Sequence, residues 1–186
     1  MDKVLLDTTV LCGAFLTRGV NYKLIQLARS AELFEPVISE VVVCEFIEHC
    51  RKGMRGIVYS EDDIDDFFTA VKPVLDTENI RRIGIGKELW VDMTKSQRPI
   101  GDYLYNLFYS ITGRKRDDLL VCLDEEDKKL AAIDSGDIHV MFAAIEHDCD
   151  IILTANKDDF PTRLGKIEII RPQAYYEYLV TITGDV

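Results

Sequence analysis

Short apolar runs alternate along the chain with segments of helical periodicity, and this alternation constrains the fold more than any other feature. The runs typical of buried strands are at 3–6, 33–39, 149–155 and 166–172. Three- and four-residue apolar spacing or helix-start residues predict helices at 21–30, 40–52, 61–72, 134–148 and 172–182. Strands that alternate with helices predict an α/β fold, in which a parallel sheet is covered by helices on both faces.

The length of the chain, 186 residues, favours a single domain. The part from about 55 to 131 is the least regular, and we expect a mainly helical insertion there. Gly84, Gly86 and Lys87 in this part resemble a phosphate-binding loop. However, Arg81 and Glu88 stand where such a loop needs a glycine and a hydroxyl residue, so a turn is the better interpretation.

The net charge of −11 argues against a dedicated nucleic-acid binder, because contacts with phosphates need Lys and Arg. The charge is uneven, however, and Arg114, Lys115 and Arg116 form a basic run. This run could contact an RNA backbone or simply be an exposed solubilising loop. No membrane-length apolar run or signal peptide is evident, so we expect no membrane partner and a cytoplasmic protein with reduced cysteines.

Acidic and amide side chains follow several of the predicted strands. Asp7 stands directly after the first strand, and Glu45 lies on the helix after the second. Asp137 opens an apolar helix, and Asn156 follows a buried strand. Because ligands of parallel sheets bind beyond the carboxyl ends of the strands, we expect these groups to share one edge. Converging carboxylates repel one another, and Mg²⁺ or Mn²⁺ would relieve that repulsion through oxygen ligands.

Each acid also has a simpler explanation that the sequence leaves open. Asp7 could be an ordinary turn or N-cap residue, and Glu45 could belong to an ion pair. Asp137 could be an acid favoured by the dipole of a helix start, with Asp134 as the actual N-cap.

The histidines allow a different metal site or none. Glu45 and His49 are four residues apart, with Cys44 and Cys50 nearby, which imitates a zinc-binding helix. No third ligand is evident for such a site. His139 on the apolar helix is better explained as a packed histidine or one that supports a neighbouring ligand.

Three blocks of the sequence resemble the PIN domain, a family of metal-dependent nucleases, and they occur in the family's order. The blocks are KVLLDTTVLCGAFLTRGVNYKLIQLA, PVISEVVVCEF and DSGDIHVMFAAIEHDCDIILTANKDDFP. Together they cover about 65 of the 186 residues. The resemblance implies a three-layer α/β/α fold with a central parallel sheet.

The resemblance also implies roles for the matching residues. Asp7, Glu45 and Asp137 match the acidic triad that holds Mg²⁺ or Mn²⁺ in PIN nucleases, and Asn156 matches a fourth family acid. The residues in supporting positions are Thr8, Thr154, Asp159 and Asp134. Thr9 stands where many members carry Asn, and we expect it to serve only the turn.

The implied activity is metal-assisted hydrolysis of RNA phosphodiester bonds. The implied biological role is the toxin ribonuclease of a type II toxin–antitoxin pair, with RNA, an antitoxin protein and a second copy of the chain as partners. Two alternatives stay open. One is a PIN-like module that binds nucleic acid or protein with little or no activity, which Asn156 and the net charge would suit. The other is a metal-dependent phosphatase, which would want a second Asp where Thr9 stands.

Overall fold

A computed structural model gives the fold of the chain and describes residues 1–30, 32–71, 80–81, 137–160 and 163–184. The strands are β1 (Asp2–Leu6), β2 (Phe34–Ser39), β3 (Ile80–Arg81), β4 (Ile151–Leu153), β5 (Arg163–Leu164) and β6 (Ile167–Ile170). The helices are α1 (Thr8–Leu16), α2 (Val20–Ala28), α3 (Glu40–Lys52), α4 (Glu61–Val71), α5 (Ile138–Glu146) and α6 (Pro172–Thr183). A 3₁₀ turn spans Lys157–Asp159.

The strands form one mixed sheet in the order β3-β2-β1-β4-β6-β5. All neighbouring pairs are parallel except β5 and β6, which form an antiparallel hairpin. In β1, β2 and β4, consecutive side chains such as Val4, Leu5 and Leu6 are buried. Because successive side chains of a strand point to opposite faces, both faces of the central sheet are covered. The predicted α/β fold with a mostly parallel sheet and flanking helices is therefore confirmed.

The first helix begins directly after β1, where the sequence predicted a turn. Asp7 has an extended backbone and occupies the N-cap position, and its carboxylate accepts a hydrogen bond from the Thr8 amide. The carbonyl of Asp7 accepts the amide hydrogen of Val10 and so starts the helix. The two threonines that suggested a turn are thus the first residues of α1.

The predicted cap of α3 is confirmed, since the Ser39 hydroxyl accepts the Val42 amide hydrogen at 3.2 Å. This helix forms although valines favour strands, because Val41 and Val42 are buried in the core and tertiary packing outweighs propensity. The helix ends at Lys52, and Gly53 caps it with a φ of +99°, which suits glycine.

Aromatic rings join α1, α3 and α4 into one layer. Phe15 makes edge-to-face contacts with Phe46, Tyr59 and Phe67, with ring centroids 5.5, 4.7 and 5.2 Å apart. The acidic first turn of α4 suits the dipole of that helix. This layer holds α3 in place, which matters for the position of Glu45.

Several boundaries differ from the predicted ones. β4 is shorter than the predicted strand at 149–155, and α5 begins at Ile138 with Asp137 in the N-cap position. The hairpin of β5 and β6 was not predicted; Gly165, with a φ of +61°, provides the positive φ that its two-residue loop needs. Asp134, the basic run at 114–116 and most of the expected insertion lie outside the described residues. Within the described ranges, no helix is long and apolar enough to cross a membrane.

Candidate functional site

The carboxylate of Asp7 is buried at the carboxyl end of β1 and is held by three hydrogen bonds. Oδ1 accepts the Thr8 amide hydrogen at 2.7 Å. Oδ2 accepts the hydroxyl hydrogens of Thr9 at 2.7 Å and Thr154 at 2.8 Å. Only 2% of Asp7 is exposed, so these bonds replace the water that an ionised carboxylate would otherwise bind.

Thr9 and Thr154 connect the ends of β1 and β4. The Thr9 hydroxyl accepts the amide hydrogen of Ala155 at 2.9 Å, and the Thr154 hydroxyl accepts that of Asn156 at 3.0 Å. Each hydroxyl therefore donates to Asp7 and accepts from the loop after β4. The prediction that Thr9 serves only a turn was wrong, because its hydroxyl reaches both strand ends.

Glu45 lies on α3 and meets the start of α1. The Thr8 hydroxyl donates to Glu45 Oε2 at 2.6 Å, while its backbone amide donates to Asp7. Thr8 thus bridges the two carboxylates. The other carboxylate oxygen, Glu45 Oε1, lies 3.0 Å from His139 Nε2 on α5, and these side chains are 13% and 5% exposed.

His139 is the cationic partner in this group, and the sequence pointed to it only as a packed or supporting histidine. The distance to Glu45 is that of an ion pair, although the ring N–H is not aligned for a hydrogen bond. Among the described residues, neither ring nitrogen of His139 has a hydrogen-bond partner. We call Asp7, Thr8, Thr9, Glu45, His139 and Thr154 the carboxylate cluster.

Burial and charge act differently on the three ionisable groups of the cluster. Burial raises the pKa of Asp7, and the hydroxyls of Thr9 and Thr154 only partly offset it. Burial is the largest influence on Glu45 and would raise its pKa, but the interactions with His139, the Thr8 hydroxyl and the charge of His49 together outweigh it and lower that pKa. Burial would lower the pKa of His139, but the charge of Glu45, followed by those of Asp7 and Asp137, raises it. Both shifts favour an ion pair between an ionised Glu45 and a protonated His139.

Asp137 stands in the N-cap position of α5, two residues before His139, and its charge contributes to raising the pKa of His139. That Asp137 joins Asp7 and Glu45 in one site stays a prediction. Asn156 is placed differently. It is exposed on the loop after β4, and its side-chain amide donates to Asp159 Oδ2. Asp159 is thus a partner of Asn156 rather than of the buried carboxylates.

The donor chemistry of the cluster fits a hard divalent cation. Asp7 Oδ1 accepts one hydrogen bond in the described structure, and Glu45 Oε1 lies beside a poorly aligned N–H, while a carboxylate oxygen can accept two. Carboxylate oxygens are the ligands that Mg²⁺ and Mn²⁺ prefer. In the described part of the chain, however, no group of three or more His, Cys, Asp or Glu residues is arranged to hold one ion.

Comparisons of the chain with models of protein families, with curated proteins and with solved structures found no match.

Proposed function

We propose that the chain is a metal-dependent ribonuclease with the three-layer α/β/α architecture of the PIN domain. The observation that carries the proposal is the meeting of Asp7 and Glu45, which Thr8 bridges, beside His139 on the helix that Asp137 opens. These residues come from three separate connections of the chain, after β1, after β2 and before β4. The loop after β4 adds Thr154, so several strand ends contribute to one site.

A divalent cation, Mg²⁺ or Mn²⁺, would be held by Asp7, Glu45 and Asp137. When bound, such an ion polarises a phosphate oxygen and lowers the pKa of a bound water. The resemblance to the PIN domain supplies Asn156 as a further catalytic residue, although its side-chain amide is engaged by Asp159.

The chain's own residues prepare the carboxylates for that role. The hydroxyls of Thr9 and Thr154 fix Asp7 Oδ2 and stabilise its negative charge. Thr8 orients Glu45 and ties it to the start of α1. His139 compensates the charge of Glu45 in the free protein, so the buried acids are tolerated before any cation or substrate arrives.

A second candidate function is a PIN-like module that binds nucleic acid or protein with little or no hydrolysis. The observation that favours it is the same ion pair, because a protonated His139 beside Glu45 competes with a metal for that carboxylate. The engagement of Asn156 by Asp159 favours it as well.

The deciding experiment is cleavage of labelled RNA by the purified full chain with Mg²⁺ or Mn²⁺ and with EDTA. Wild type should cleave only with metal, and Asp7→Asn and Asp137→Asn should abolish cleavage. Asp65→Asn, at an exposed position of α4 outside the cluster, removes the same charge and should cleave normally. Circular dichroism of all variants shows whether they are folded.

Other outcomes would point to the alternatives. If wild type and both site variants bind RNA but are equally inert with either metal, the binding module replaces the ribonuclease. If the protein hydrolyses a phosphomonoester and leaves RNA intact, it is a phosphatase.

The toxin role rests on the sequence resemblance alone. Expression of wild type should then arrest growth and expression of Asp7→Asn should not. A small antitoxin protein encoded beside the chain should relieve the arrest, and size-exclusion chromatography with light scattering would show whether two copies associate.

A further inference from the structure

A cavity of about 330 Å³ lies next to the carboxylate cluster, and its polar lining is basic. It is lined by Arg55, which follows α3, and by Arg171, which precedes α6. Asn21 and Gln173 also line it. None of the described residues in its lining carries a carboxylate, although acids outnumber bases in the chain by 33 to 22. Two guanidinium groups without a facing acid in the lining are suited to an anion that accepts several hydrogen bonds.

We propose that this basic cavity binds a backbone phosphate of the RNA strand that reaches the carboxylate cluster. The inference rests on the proposed ribonuclease function and names where the substrate is held. The position fits, because Ala155 lines the cavity and its amide hydrogen is bonded to Thr9, which donates to Asp7. Cavity and cluster therefore share one loop at the carboxyl ends of the strands.

Arg171 is available to a phosphate because its present partner is weak. Its Nη2 atom lies 3.2 and 3.3 Å from the two carboxylate oxygens of Asp158. Both side chains are mostly exposed, and exposed ion pairs contribute little in water. A phosphate in the cavity can therefore replace Asp158 at little cost.

Arg55 is held at the cavity by an unusual backbone conformation. It forms a two-residue turn with Gly56 between Met54 and Ile57, whose amides and carbonyls bond to each other at 2.9 and 3.1 Å. The φ of Arg55 is +53°, a left-handed value that normally favours Gly or Asn in such a turn. An arginine kept in a strained position beside an open cavity is consistent with a binding role.

Two helix starts add to the positive potential of the two arginines. The first residues of α2, Val20 and Asn21, line the cavity, as do the first residues of α6, Pro172 and Gln173. The first turns of both helices contain no acidic residue. Amide hydrogens at a helix start carry partial positive charge, so both helices favour a phosphate at the place where the arginines would bind it.

The test measures binding of a short fluorescein-labelled oligouridine by anisotropy, with EDTA present so that no cleavage occurs. The double variant Arg55→Gln/Arg171→Gln should bind about tenfold or more weakly. The slope of log affinity against log salt should become shallower by about 0.7 for each lost phosphate contact. Arg171→Lys, which keeps the charge, should retain part of the affinity.

The matched control is Arg29→Gln/Arg163→Gln, which removes the same charge from exposed positions outside the cavity. It should change the affinity by less than about twofold, since it alters only the long-range field. An equal loss in both double variants would overturn the proposal, because net charge alone would then explain binding. Pyrophosphate that binds the cavity while the oligouridine does not would also overturn it, in favour of a small-phosphate site.

The outcome is separable from that of the nuclease experiment. A chain that binds RNA through Arg55 and Arg171 but never cleaves it supports the cavity and contradicts the ribonuclease. If the chain cleaves RNA but its affinity for RNA does not change in the arginine variants, the ribonuclease proposal is supported. The proposed role of the cavity in phosphate binding is then contradicted.

Discussion

The carboxylate cluster and the basic cavity are neighbours at the carboxyl edge of the sheet, but they are built in opposite ways. In the cluster, the oxygens of Asp7 and Glu45 contact hydroxyls, a backbone amide or a buried imidazole. In the cavity, Arg55 and Arg171 are exposed, and Arg171 has a weak partner. The cluster is thus organised as part of folding, whereas the cavity leaves its charged groups ready to bind.

A second cavity, of about 380 Å³, lies toward the opposite ends of the strands and differs in the charge of its lining. It opens near the starts of β1, β4 and β6, and Asp2, Asp150, Glu168 and Lys166 line it. The basic lining therefore lies at the edge where strand ends and carboxylates converge, and the acidic lining lies toward the other edge. An anion should therefore be disfavoured at the acidic lining and favoured at the basic one, although the net charge of the chain is −11.

The largest effect should come from breaking the ion pair of the cluster. Glu45→Ala leaves the buried His139 without its ion-pair partner and should lower the free energy of unfolding by about 3 kcal/mol. Urea denaturation followed by circular dichroism measures this. Glu61→Ala breaks an exposed ion pair with Arg51 in the same helical layer and should lower the free energy of unfolding far less. Similar losses in the two variants would contradict the difference in burial.

Smaller but clear effects should follow from removing single hydroxyls of the cluster. Thr9→Val and Thr154→Val keep the shape of the side chain but each removes a donor to buried Asp7, at about 1–2 kcal/mol. The control is Thr181→Val on α6, whose exposed hydroxyl bonds only a helix carbonyl and whose loss should have little effect. Thermal and urea unfolding should agree; a neutral Thr154→Val would show that the hydroxyl network contributes nothing to folding.

Cys12 on α1 should report the charge of the cluster. Burial first, then neighbours that include Asp7 and Glu45, raise the pKa of its thiol to about 12. A cation bound by these carboxylates would lower that pKa and increase the thiolate fraction. Mn²⁺ should then speed alkylation of Cys12 several-fold, within the roughly tenfold that one pKa unit allows. Mass spectrometry of the labelled peptides gives the rate at each cysteine.

Two controls accompany the alkylation experiment. Burial alone raises the pKa of Cys50, to about 11, so its rate should not respond to Mn²⁺. In Asp7→Asn the response of Cys12 should be lost or strongly reduced, and EDTA should reverse it in wild type. An identical Mn²⁺ response in Asp7→Asn would place the cation elsewhere.

The smallest expected effect is a gain in RNA affinity at the basic cavity, whereas the arginine variants lose affinity. Asp158→Asn removes the acid that engages Arg171, and it should strengthen binding of the labelled oligouridine about twofold, given the small value of exposed pairs. Asp62→Asn on α4 provides the same change of net charge away from the cavity. If both variants gain the same affinity for the oligouridine, Asp158 does not compete with RNA for Arg171. The stability of Asp158→Asn should match wild type.

The sequence allowed prediction of the elements that depend on local signals. Ser39 and the helix after it could be recognised from a capping residue, and the central strands from short apolar runs. The sequence also predicted correctly that Asp7 directly follows the first strand. These features depend on neighbours within a few residues, so a single sequence contains them.

The features that the sequence did not reveal depend on distant parts of the chain. Thr9 bonds to Ala155, which is 146 positions away, and nothing near Thr9 indicates that contact. His139 meets Glu45 only through the fold, since the two residues lie on α5 and α3, 94 positions apart in the sequence. Arg55 and Arg171 flank different helices and share a cavity through the fold alone. A polar residue after a buried strand is nevertheless a signal that would have drawn attention to Thr9.

The short hairpin of β5 and β6 has a consequence for association between copies. β5 has only two residues, Arg163 and Leu164, and the first of them is exposed. A strand of another molecule could form too few backbone hydrogen bonds with β5 for stable pairing. The charge of Arg163 also disfavours edge-to-edge aggregation there. The described part of this border therefore offers a second copy of the chain little backbone for extending the sheet.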